Sequence, residues 1–480
     1  MSGGSIQAEL DEDNSNGETN NHAVIIPGMR YNAILLVLFM LVFVCGATWV
    51  SIYNFPPFYQ RLDTYLQDYR VRIHRVFYPP EEILFVPPEQ VETIVQATMG
   101  ALTPPTAPAN TETTAPPLAP TNNPVPTSTE LAQPTAVLDV IQTPIPIPTQ
   151  QPTPIPQVYA LSGVRNEVET RNNCGPATLA MALSFWGWQG DQTTVQAVLR
   201  PYEYVDDKNV MPAEMQNYVH GYTNLKAAVR VGGDPEMLKS LIAAGFPVII
   251  EKGHTTTGWI GHYILLTGYD DTQAHFLSQD SLIVDPDVPV AYDGLTSWWR
   301  HFNYLYIVIY PAEREAELFT VLGPHADAGY NLQASAEKAR QEVDALTGRD
   351  RFFALYNLGS SLTGLGATAQ AVQIFDQAFA DVYPDIGKED RPWRVLWYRT
   401  DAYQAYFEAG RYQDVIRLAD ATLLAIGNPV LEETFYWRGK ARDASGDESG
   451  AIQDYEAAVR LNPGSTPALE ELQRLQGKAP

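Results

Sequence analysis

A proline- and threonine-rich stretch over residues 102–157 is the feature that most limits where this chain of 480 residues can build a folded core. It contains the runs TPPTAPANTETTAPPLAPTNNPVPTSTE and TPIPIPTQQPTPIPQ and carries almost no charge. Such a composition favours a semi-extended polyproline-type linker, which would span up to about 170 Å at about 3 Å per residue. We therefore expect a linker over residues 98–157, with the folded domains after it.

An uninterrupted apolar run precedes the linker. Residues 33–50 read AILLVLFMLVFVCGATWV and include no charged residue. Extended to Tyr31 and Tyr53, the run is long enough to cross a hydrocarbon layer of about 30 Å at about 1.5 Å per residue. A cleaved signal peptide is the alternative, but the polar stretch over residues 1–30 and the lack of an A-x-A site argue against it. We therefore predict a transmembrane helix over residues 31–53.

Two features give opposite predictions for the orientation of this helix. Arg30 precedes it and four arginines follow it, which by the positive-inside rule would place the C-terminal side in the cytoplasm. The proline- and threonine-rich linker instead resembles the stalks that tether exported bacterial domains to the cell surface. We give the linker more weight and expect the folded domains to be extracytoplasmic.

The overall charge excludes one class of partner. The formal net charge is −25, and an acidic surface repels phosphate backbones, so nucleic-acid binding is not expected. The same charge disfavours contact of the folded domains with anionic lipid, which leaves membrane attachment to residues 31–53. The chain has 2 cysteines, Cys45 in the apolar run and Cys174 in a polar stretch, so no disulfide is expected between them.

Residues 158–312 change to the pattern of a globular domain. Amphipathic helical stretches at Ala177–Trp186 and Pro235–Ala244 come first. The strand-like runs that follow are Pro247–Glu251, His262–Gly268 and Leu305–Tyr310. Helices followed by strands with hairpin-like turns predict an α+β domain.

Cys174 is the candidate nucleophile of this domain. It lies in the run NNCGPATLAMAL, in which Asn172 or Asn173 suits a helix cap and Pro176 suits the first helical turn. At a helix N-terminus, the unsatisfied N–H groups and the helix dipole favour a thiolate. The alternative is a buried structural cysteine that packs as a small hydrophobic side chain.

A histidine and an aspartate follow Cys174 in positions that suit a catalytic triad. His262 opens the apolar run HYILLTG, where it would act as the general base. Asp280 ends the run FLSQD, where its carboxylate would accept a hydrogen bond from the imidazole, and Asp285 is the alternative. The other candidate histidines are His220, His254, His275 and His301.

The order of these motifs resembles that of the bacteriocin-processing (double-glycine) peptidases, family thirty-nine of the cysteine peptidases, in particular the stand-alone branch without a transporter. The resemblance covers residues 158–312. It rests on Asn-Cys-Gly-Pro at a helix start, Gly-His-Tyr at a strand start, the Gly-Tyr-Asp-Asp turn and then an Asp. It implies a papain-like fold with Cys174 as nucleophile, His262 as base and Asp280 as the residue that orients the base.

The residues before the cysteine depart from the family. Such enzymes usually place a glutamine five or six residues before the cysteine as a donor to the oxyanion, whereas this chain has Glu169 and Val168 there. An ionised carboxylate would repel an oxyanion, and loss of one such donor costs about 10²–10³ in rate. Asn172 and Asn173 are alternative donors. Two functions stay open: a cysteine peptidase, and a weak or inactive peptidase-like adaptor that binds peptides at the cell surface.

After residue 312 nearly everything reads as helix, with internal repeats. Residues 355–378 and 435–463 carry the small and aromatic residues of tetratricopeptide units at the expected spacing, and residues 397–424 have a fair match. This resemblance predicts helix pairs that present a surface to a protein or peptide partner. The alternative is a helical cap that stabilises the neighbouring domain.

The sequence therefore predicts a multidomain, membrane-anchored bacterial peptidase. Its predicted parts are a disordered polar tail (1–30), a transmembrane helix (31–53), a juxtamembrane segment (54–97), a linker (98–157), an α+β papain-like cysteine peptidase domain (158–312) and an all-α tetratricopeptide-like repeat domain (313–480). No metal-ligand cluster or nucleotide-binding loop is present in the sequence, so no cofactor is predicted.

Overall fold

The computed structural model describes residues 155–201, 210–255, 259–425 and 430–477. The predicted tail, transmembrane helix and juxtamembrane segment, and nearly all of the linker, lie outside these residues. Within the described ranges, no helix is both long enough and apolar enough to cross a membrane.

Seven strands form one antiparallel sheet that carries much of the candidate site. The strands are β1 (Val158–Ala160), β2 (Leu225–Arg230), β3 (Val248–Thr255), β4 (Trp259–Asp270), β5 (His275–Gln279), β6 (Val288–Ala291) and β7 (Tyr306–Pro311). Their order across the sheet is β2–β7–β3–β4–β5–β6, and β1 pairs with the end of β4. The three predicted strand-like runs correspond to β3, β4 and β7. The prediction that His262 opens its strand is wrong, because β4 begins at Trp259 and pairs with β3 from there. Residues 262–269 of β4 are all buried, because helices cover both faces of the sheet.

Helix α1 (Cys174–Phe185) is buried on all sides along most of its length. Residues 175–183 are all buried, because β4 contacts the helix on one side and α2 (Gln192–Leu199) on the other. The prediction of an amphipathic helix here is therefore wrong, although the helix itself is present. Alanines such as Ala177 and Ala180 let the neighbouring elements approach closely.

Four more helices complete the region around the sheet. They are α3 (Pro212–Tyr222), α4 (Pro235–Ala243), α5 (Tyr292–Trp299) and α6 (Glu315–Leu322). The second of the predicted amphipathic stretches forms α4, which begins where the Asp234 side chain accepts a hydrogen bond from the Met237 N–H. Leu238, Leu241 and Ile242 of α4 join the hydrophobic cluster on the sheet face opposite to α1.

Nine further helices make up the C-terminal region within the described residues. They are α7 (Ala328–Ala345), α8 (Gly348–Gly364), α9 (Thr368–Asp376), α10 (Val395–Tyr398), α11 (Asp401–Glu408), α12 (Tyr412–Leu424), α13 (Glu432–Ala444), α14 (Glu448–Leu461) and α15 (Thr466–Leu475). The pairs α8–α9, α11–α12 and α13–α14 occupy the three predicted repeat units. Consecutive helices contact each other, as expected for a stacked array.

Glycines allow the paired helices to approach closely in two of these units. A Cβ atom at Gly359 of α8 would lie 2.8 Å from the ring of Phe375 in α9. The same distance separates a Cβ at Gly439 of α13 from Tyr455 in α14. Both aromatic side chains are fully buried, so the small-and-aromatic pattern of the sequence reports real helix packing.

The helical region packs directly on the sheet. The ring centroid of Trp259, at the start of β4, lies 5.2 Å from that of Phe353 in α8 and 5.5 Å from that of Tyr398 in α10. Arg399 donates a hydrogen bond to the His301 carbonyl at 3.2 Å. One hydrophobic cluster includes residues of α1, of the sheet and of α8, α9 and α11. The helical region therefore stabilises the beginning of the strand that carries the candidate base.

Candidate active site

Helix α1 begins at the candidate nucleophile. Cys174 is its first residue, is partly buried and forms no disulfide. Asn173 occupies the N-cap position, but its side chain makes no capping hydrogen bond, so that part of the cap prediction is wrong. Its amide donates to Gln192 Oε1 at 3.0 Å instead. The side chain of the N-cap residue therefore satisfies none of the first-turn N–H groups of the helix.

The candidate base and its orienting residue contact each other. His262 Nε2 lies 2.7 Å from Asp280 Oδ1. With Nε2 engaged, Nδ1 is left for the Cys174 thiol, whose Sγ lies within 4.8 Å of a ring nitrogen of His262. The structure therefore brings Cys174, His262 and Asp280 together in the order nucleophile, base and carboxylate. The side chain of Asp285, the alternative to Asp280, lies in an exposed loop.

Electrostatics favour an imidazolium next to a carboxylate. Burial lowers the pKa of His262, but the charge and hydrogen bond of Asp280, together with Cys174, outweigh burial and raise that pKa to about 10. Burial raises the pKa of Asp280, but the His262 charge and hydrogen bond and the Leu282 N–H lower it to about 2. The pair is therefore charged on both sides across the neutral range.

Glu169 lies at the triad itself. One carboxylate oxygen of Glu169, the Cys174 Sγ and a ring nitrogen of His262 all lie within 4.8 Å of one another. Glu169 Oε2 accepts a hydrogen bond from Ser281 Oγ at 2.6 Å, and the Glu169 N–H donates to the Ser281 carbonyl at 2.9 Å. Burial raises the pKa of this carboxyl, against the lowering effects of His262, Ser281 and Arg200. A substantially protonated carboxyl would be a donor rather than a repulsive charge.

The two asparagines before Cys174 have different surroundings from Glu169. Asn173 is fully buried and is held by Gln192 and by Arg200, whose Nη1 lies 3.3 Å from Asn173 Oδ1. Asn172 is exposed, has a φ of 49° in the left-handed region, and its carbonyl accepts a hydrogen bond from Arg200. Among the three candidate donors, the carboxyl of Glu169 is the group shown to lie beside the nucleophile and the base.

Helix α2 fixes the segment that carries these residues. Gln192 Oε1 accepts from the Thr170 N–H at 2.9 Å, and Gln192 Nε2 donates to the Val168 carbonyl at 2.8 Å. Sequence reasoning missed this supporting role of Gln192 and Arg200. The weak signal available for the role of Gln192 was its place as a polar residue at the first position of the short amphipathic helix α2.

Two further polar side chains border the triad, and sequence reasoning missed one of them. Lys252 is the cross-strand partner of His262. His254 lies two residues farther along β3, with its ring centroid 5.8 Å from that of His262. Side chains alternate between the two faces of a strand, and this alternation along β3 was the signal that could have placed Lys252 on the face of His262. His254 was an alternative base, but burial lowers its pKa to about 4 and Asp280 bonds His262 instead.

The remaining candidate histidines make other hydrogen bonds or lie away from Asp280. His220 Nε2 accepts a hydrogen bond from the Ala227 N–H at 3.1 Å. His301 Nδ1 accepts one from Trp259 Nε1 at 2.9 Å, and burial lowers the pKa of His301 to about 4. His275 is the first residue of β5, at the end of that strand away from Asp280.

Among the described residues, two groups of three side chains could bind a metal ion, because their N, O or S ligand atoms lie within 4.8 Å of one another. One is Glu169, Cys174 and His262, whose chemistry also suits nucleophilic catalysis. The other is Glu214, Glu432 and Glu433, where the Asn462 amide donates to Glu214 Oε1 and Glu432 Oε1.

Comparison with known families agrees with this geometry. Residues 148–306 match the model of the Peptidase_C39 like family. The match includes Cys174, His262 and Asp280. Residues 148–306 thus resemble a C39-like peptidase domain, which indicates a papain-like fold, and a helical C-terminal region follows them. The resemblance is confirmed at this level, and the double-glycine type stays a prediction. No curated protein matches the chain.

Parts of the chain are similar to solved structures. A protein named as a C39-like peptidase from Bacillus anthracis is 20% identical, with 32% of this chain and 96% of that chain covered and a TM-score of 0.28. A double mutant of MamA RS-1 is 17% identical over 31% of this chain and 75% of that chain, with a TM-score of 0.26. The first tetratricopeptide domain of Spaghetti, bound to an HSP90 peptide, is 20% identical over 27% of this chain and 94% of that chain, with a TM-score of 0.23.

Proposed function

We propose that this protein is a membrane-anchored cysteine peptidase that hydrolyses peptide or isopeptide bonds through Cys174, His262 and Asp280. The observation that carries the proposal is the position of His262, which lies 2.7 Å from Asp280 and has a ring nitrogen within 4.8 Å of the Cys174 Sγ at the start of α1. A cysteine followed by a buried imidazole and a partly buried carboxylate in this order is what a thiol nucleophile requires.

The chemistry follows from the positions of these groups. The Cys174 thiolate attacks the substrate carbonyl carbon, and the electron pair moves to the carbonyl oxygen. His262 then donates its proton to the leaving amine, and the C–N bond breaks to leave a thioester. The neutral His262 next takes a proton from water, whose oxygen attacks the thioester and releases the acid and the thiolate. Asp280 keeps the ring oriented and stabilises its charge throughout.

Donors for the oxyanion come from the residues that precede and begin α1. The first-turn N–H groups of the helix supply one set, and the carboxyl of Glu169 supplies another at pH values below its pKa. A raised pKa of Glu169 supports this role, because a neutral carboxyl donates a hydrogen bond where a carboxylate would repel charge.

The anchor and the repeats complete the proposal. Residues 31–53 would hold the protein in a membrane, and the linker would carry the peptidase away from it on the extracytoplasmic side. The helical region would bind a protein or peptide partner. Its packing against β4 supports a role close to the peptidase site rather than as a separate module.

The second candidate function is a peptidase-like adaptor that binds peptides without cleaving them. Glu169 in place of an amide donor favours it, since an ionised carboxylate beside Cys174 would suppress the oxyanion. An adaptor needs the cleft but not the reactivity of the thiol.

Thiol reactivity distinguishes the two functions. We expect Cys174 to react with iodoacetamide near neutral pH at least tenfold faster than free cysteine, and His262→Ala to abolish that excess. A quenched peptide library should be cleaved by the native protein and not by Cys174→Ala. Ordinary thiol reactivity together with an uncut library would rule out the peptidase and leave the adaptor.

Topology has a separate test. Protease treatment of intact cells should release a soluble fragment that contains the peptidase and repeat regions. Complete protection of that fragment would place the C-terminal side in the cytoplasm.

A further inference from the structure

A cationic side chain lies beside the triad. Lys252 on β3 is directly opposite His262 on β4, and opposed residues of an antiparallel pair extend their side chains to the same face. His254 shares that face because it is two residues from Lys252 on the same strand. The charges of Asp280 and Cys174 both act on the Lys252 ammonium, which places it at the edge of the reacting groups.

Within the described part of the chain, no anion is paired with the Lys252 ammonium. Lys252 is partly buried, yet among the described residues no hydrogen bond or ion pair holds its ammonium, and this group is not sealed from solvent. Lys239 of α4, a buried lysine, pairs with Glu236 at 2.6 Å and with Asp271 at 3.1 Å. A partly buried cation without an anion is unfavourable, so an anion that enters from solvent would be stabilised there.

The nearby acidic groups are committed to other partners. Asp280 Oδ1 bonds His262 and also accepts from the Leu282 N–H at 3.0 Å. Glu169 bonds Ser281. Burial lowers the pKa of Lys252, and the fields of Asp280 and Cys174 oppose that effect without a direct contact. The ammonium therefore remains available to a group that the protein does not provide.

His254 adds a hydrogen-bonding group without adding charge. Burial, His262 and Lys252 all lower its pKa, to about 4, so its ring is neutral near neutral pH. A neutral imidazole has one N–H donor. An ammonium and an imidazole N–H on one face can bind the two oxygens of one carboxylate.

We infer that Lys252 and His254 form a subsite for a carboxylate of the substrate, next to the bond that Cys174 attacks. The inference rests on the proposed peptidase function and adds the substrate class: peptides with an acidic side chain, or a free C-terminal carboxylate, close to the scissile bond. The net charge of −25 would disfavour an acidic peptide at long range, so the discrimination must be local.

The first experiment measures the subsite without any peptide cleavage. Iodoacetate and iodoacetamide alkylate the same thiolate and differ in the carboxylate that iodoacetate carries. The second-order rate constant of iodoacetate at Cys174, divided by that of iodoacetamide, should be about fivefold lower in Lys252→Met than in the wild type. In Lys252→Arg this ratio should stay within about twofold of the wild-type ratio. Lys226→Met, which removes a lysine of β2 that pairs with Glu315, is the matched control and should leave the ratio unchanged.

The second experiment uses peptides. Quenched substrates that differ by Glu, Gln or Lys at each of the three positions on either side of the scissile bond are compared by kcat/KM. The native protein should prefer Glu over Gln at one position by about tenfold, and Lys252→Glu should prefer Lys there. Amidated and free C-termini then separate the two sources of the carboxylate, since only a C-terminal source loses its preference on amidation.

The outcomes separate this inference from the peptidase proposal. An unchanged alkylation ratio in a folded Lys252→Met protein would overturn the subsite whether or not peptides are cut. Cleavage without any Glu or C-terminal preference would also overturn it and would leave the peptidase intact. A lowered ratio with no peptide cleaved would support the subsite and count against the peptidase. Thermal unfolding of each variant shows that it is folded.

Discussion

Replacement of Glu169 by glutamine should raise activity at pH values above the pKa of Glu169. Such an increase is unusual for a change beside a nucleophile. The wild-type carboxyl lies within 4.8 Å of the Cys174 Sγ and a ring nitrogen of His262, and burial raises its pKa. Below that pKa the carboxyl donates to the oxyanion, and above it the carboxylate repels the oxyanion. Glutamine donates at every pH.

The size of the effect follows from the distance and the charge. At about 5 Å and an effective dielectric constant of about 20, a carboxylate and an oxyanion repel by about 3 kcal/mol, which corresponds to roughly 10² in rate. Loss of one oxyanion donor elsewhere costs about 10²–10³. At two pH units above the pKa of Glu169 about one molecule in a hundred retains the proton, so Glu169→Gln should exceed the wild type by about 10- to 100-fold there.

The assay is kcat/KM against pH for the wild type, Glu169→Gln and Glu169→Ala, with one quenched peptide. The ratio of Glu169→Gln to wild type should rise with pH and level off near unity at acid pH. Glu169→Ala should fall below Glu169→Gln at every pH, because alanine removes the donor together with the charge. Glu313→Gln, which removes an exposed carboxylate far from the site, is the matched control. A ratio that stays constant or falls with pH would refute the reasoning.

Three other changes test the site and the fold. Asp280→Ala should lower kcat by about 10²-fold or more and move the alkaline limb of the pH–rate profile down from about 10, since the carboxylate is what raises the pKa of the base; Asp285→Ala, in the exposed loop, should leave both unchanged, and equal effects would reject Asp280. Gly359→Ala should destabilise the protein by about 1–2 kcal/mol in urea unfolding, because its Cβ would lie 2.8 Å from a buried ring; Gly387→Ala, with open space around it, should stay within about 0.5 kcal/mol, and a neutral Gly359→Ala would contradict the packing. Burial raises the pKa of Glu251 to about 8, so its carboxyl binds a proton more tightly in the folded than in the unfolded chain, and stability should fall as pH rises from about 4.5 to 8, by up to roughly 1.4 kcal/mol per unit. The urea midpoint of Glu251→Gln should fall less than that of the wild type as pH rises over that range. If the two midpoints fall in parallel, Glu251 is ionised in the folded protein.

Local patterns were sufficient for much of the architecture. The strands β3, β4 and β7 and the helix that begins at Cys174 depend on composition, periodicity or capping residues within a short stretch. The repeat spacing was also readable, because Gly359 and Gly439 must be small wherever an aromatic side chain packs against them. The family match to residues 148–306 agrees with the motif order around Cys174 and His262.

Contacts between distant segments could not be read in this way. The burial of α1 on all sides depends on β4 and α2, which are far from it in sequence, so its apolar face was misjudged as one side of an amphipathic helix. The choice of Asp280 over Asp285 depends on where β5 ends relative to His262. The packing of Trp259 against Phe353 and Tyr398 joins two regions that the sequence presents as separate domains.

The sequence by itself determined which residue types could perform the chemistry, because a thiol at a helix start, a histidine at a strand start and a following aspartate are short-range patterns. Only the tertiary structure decided which charges meet. It places the carboxyl of Glu169 beside Cys174 with a raised pKa, and it places Lys252 beside His262 with no paired anion among the residues that the structure describes. Both results depend on burial and on the register of β3 with β4, and these exist only once the sheet and the helices have packed together.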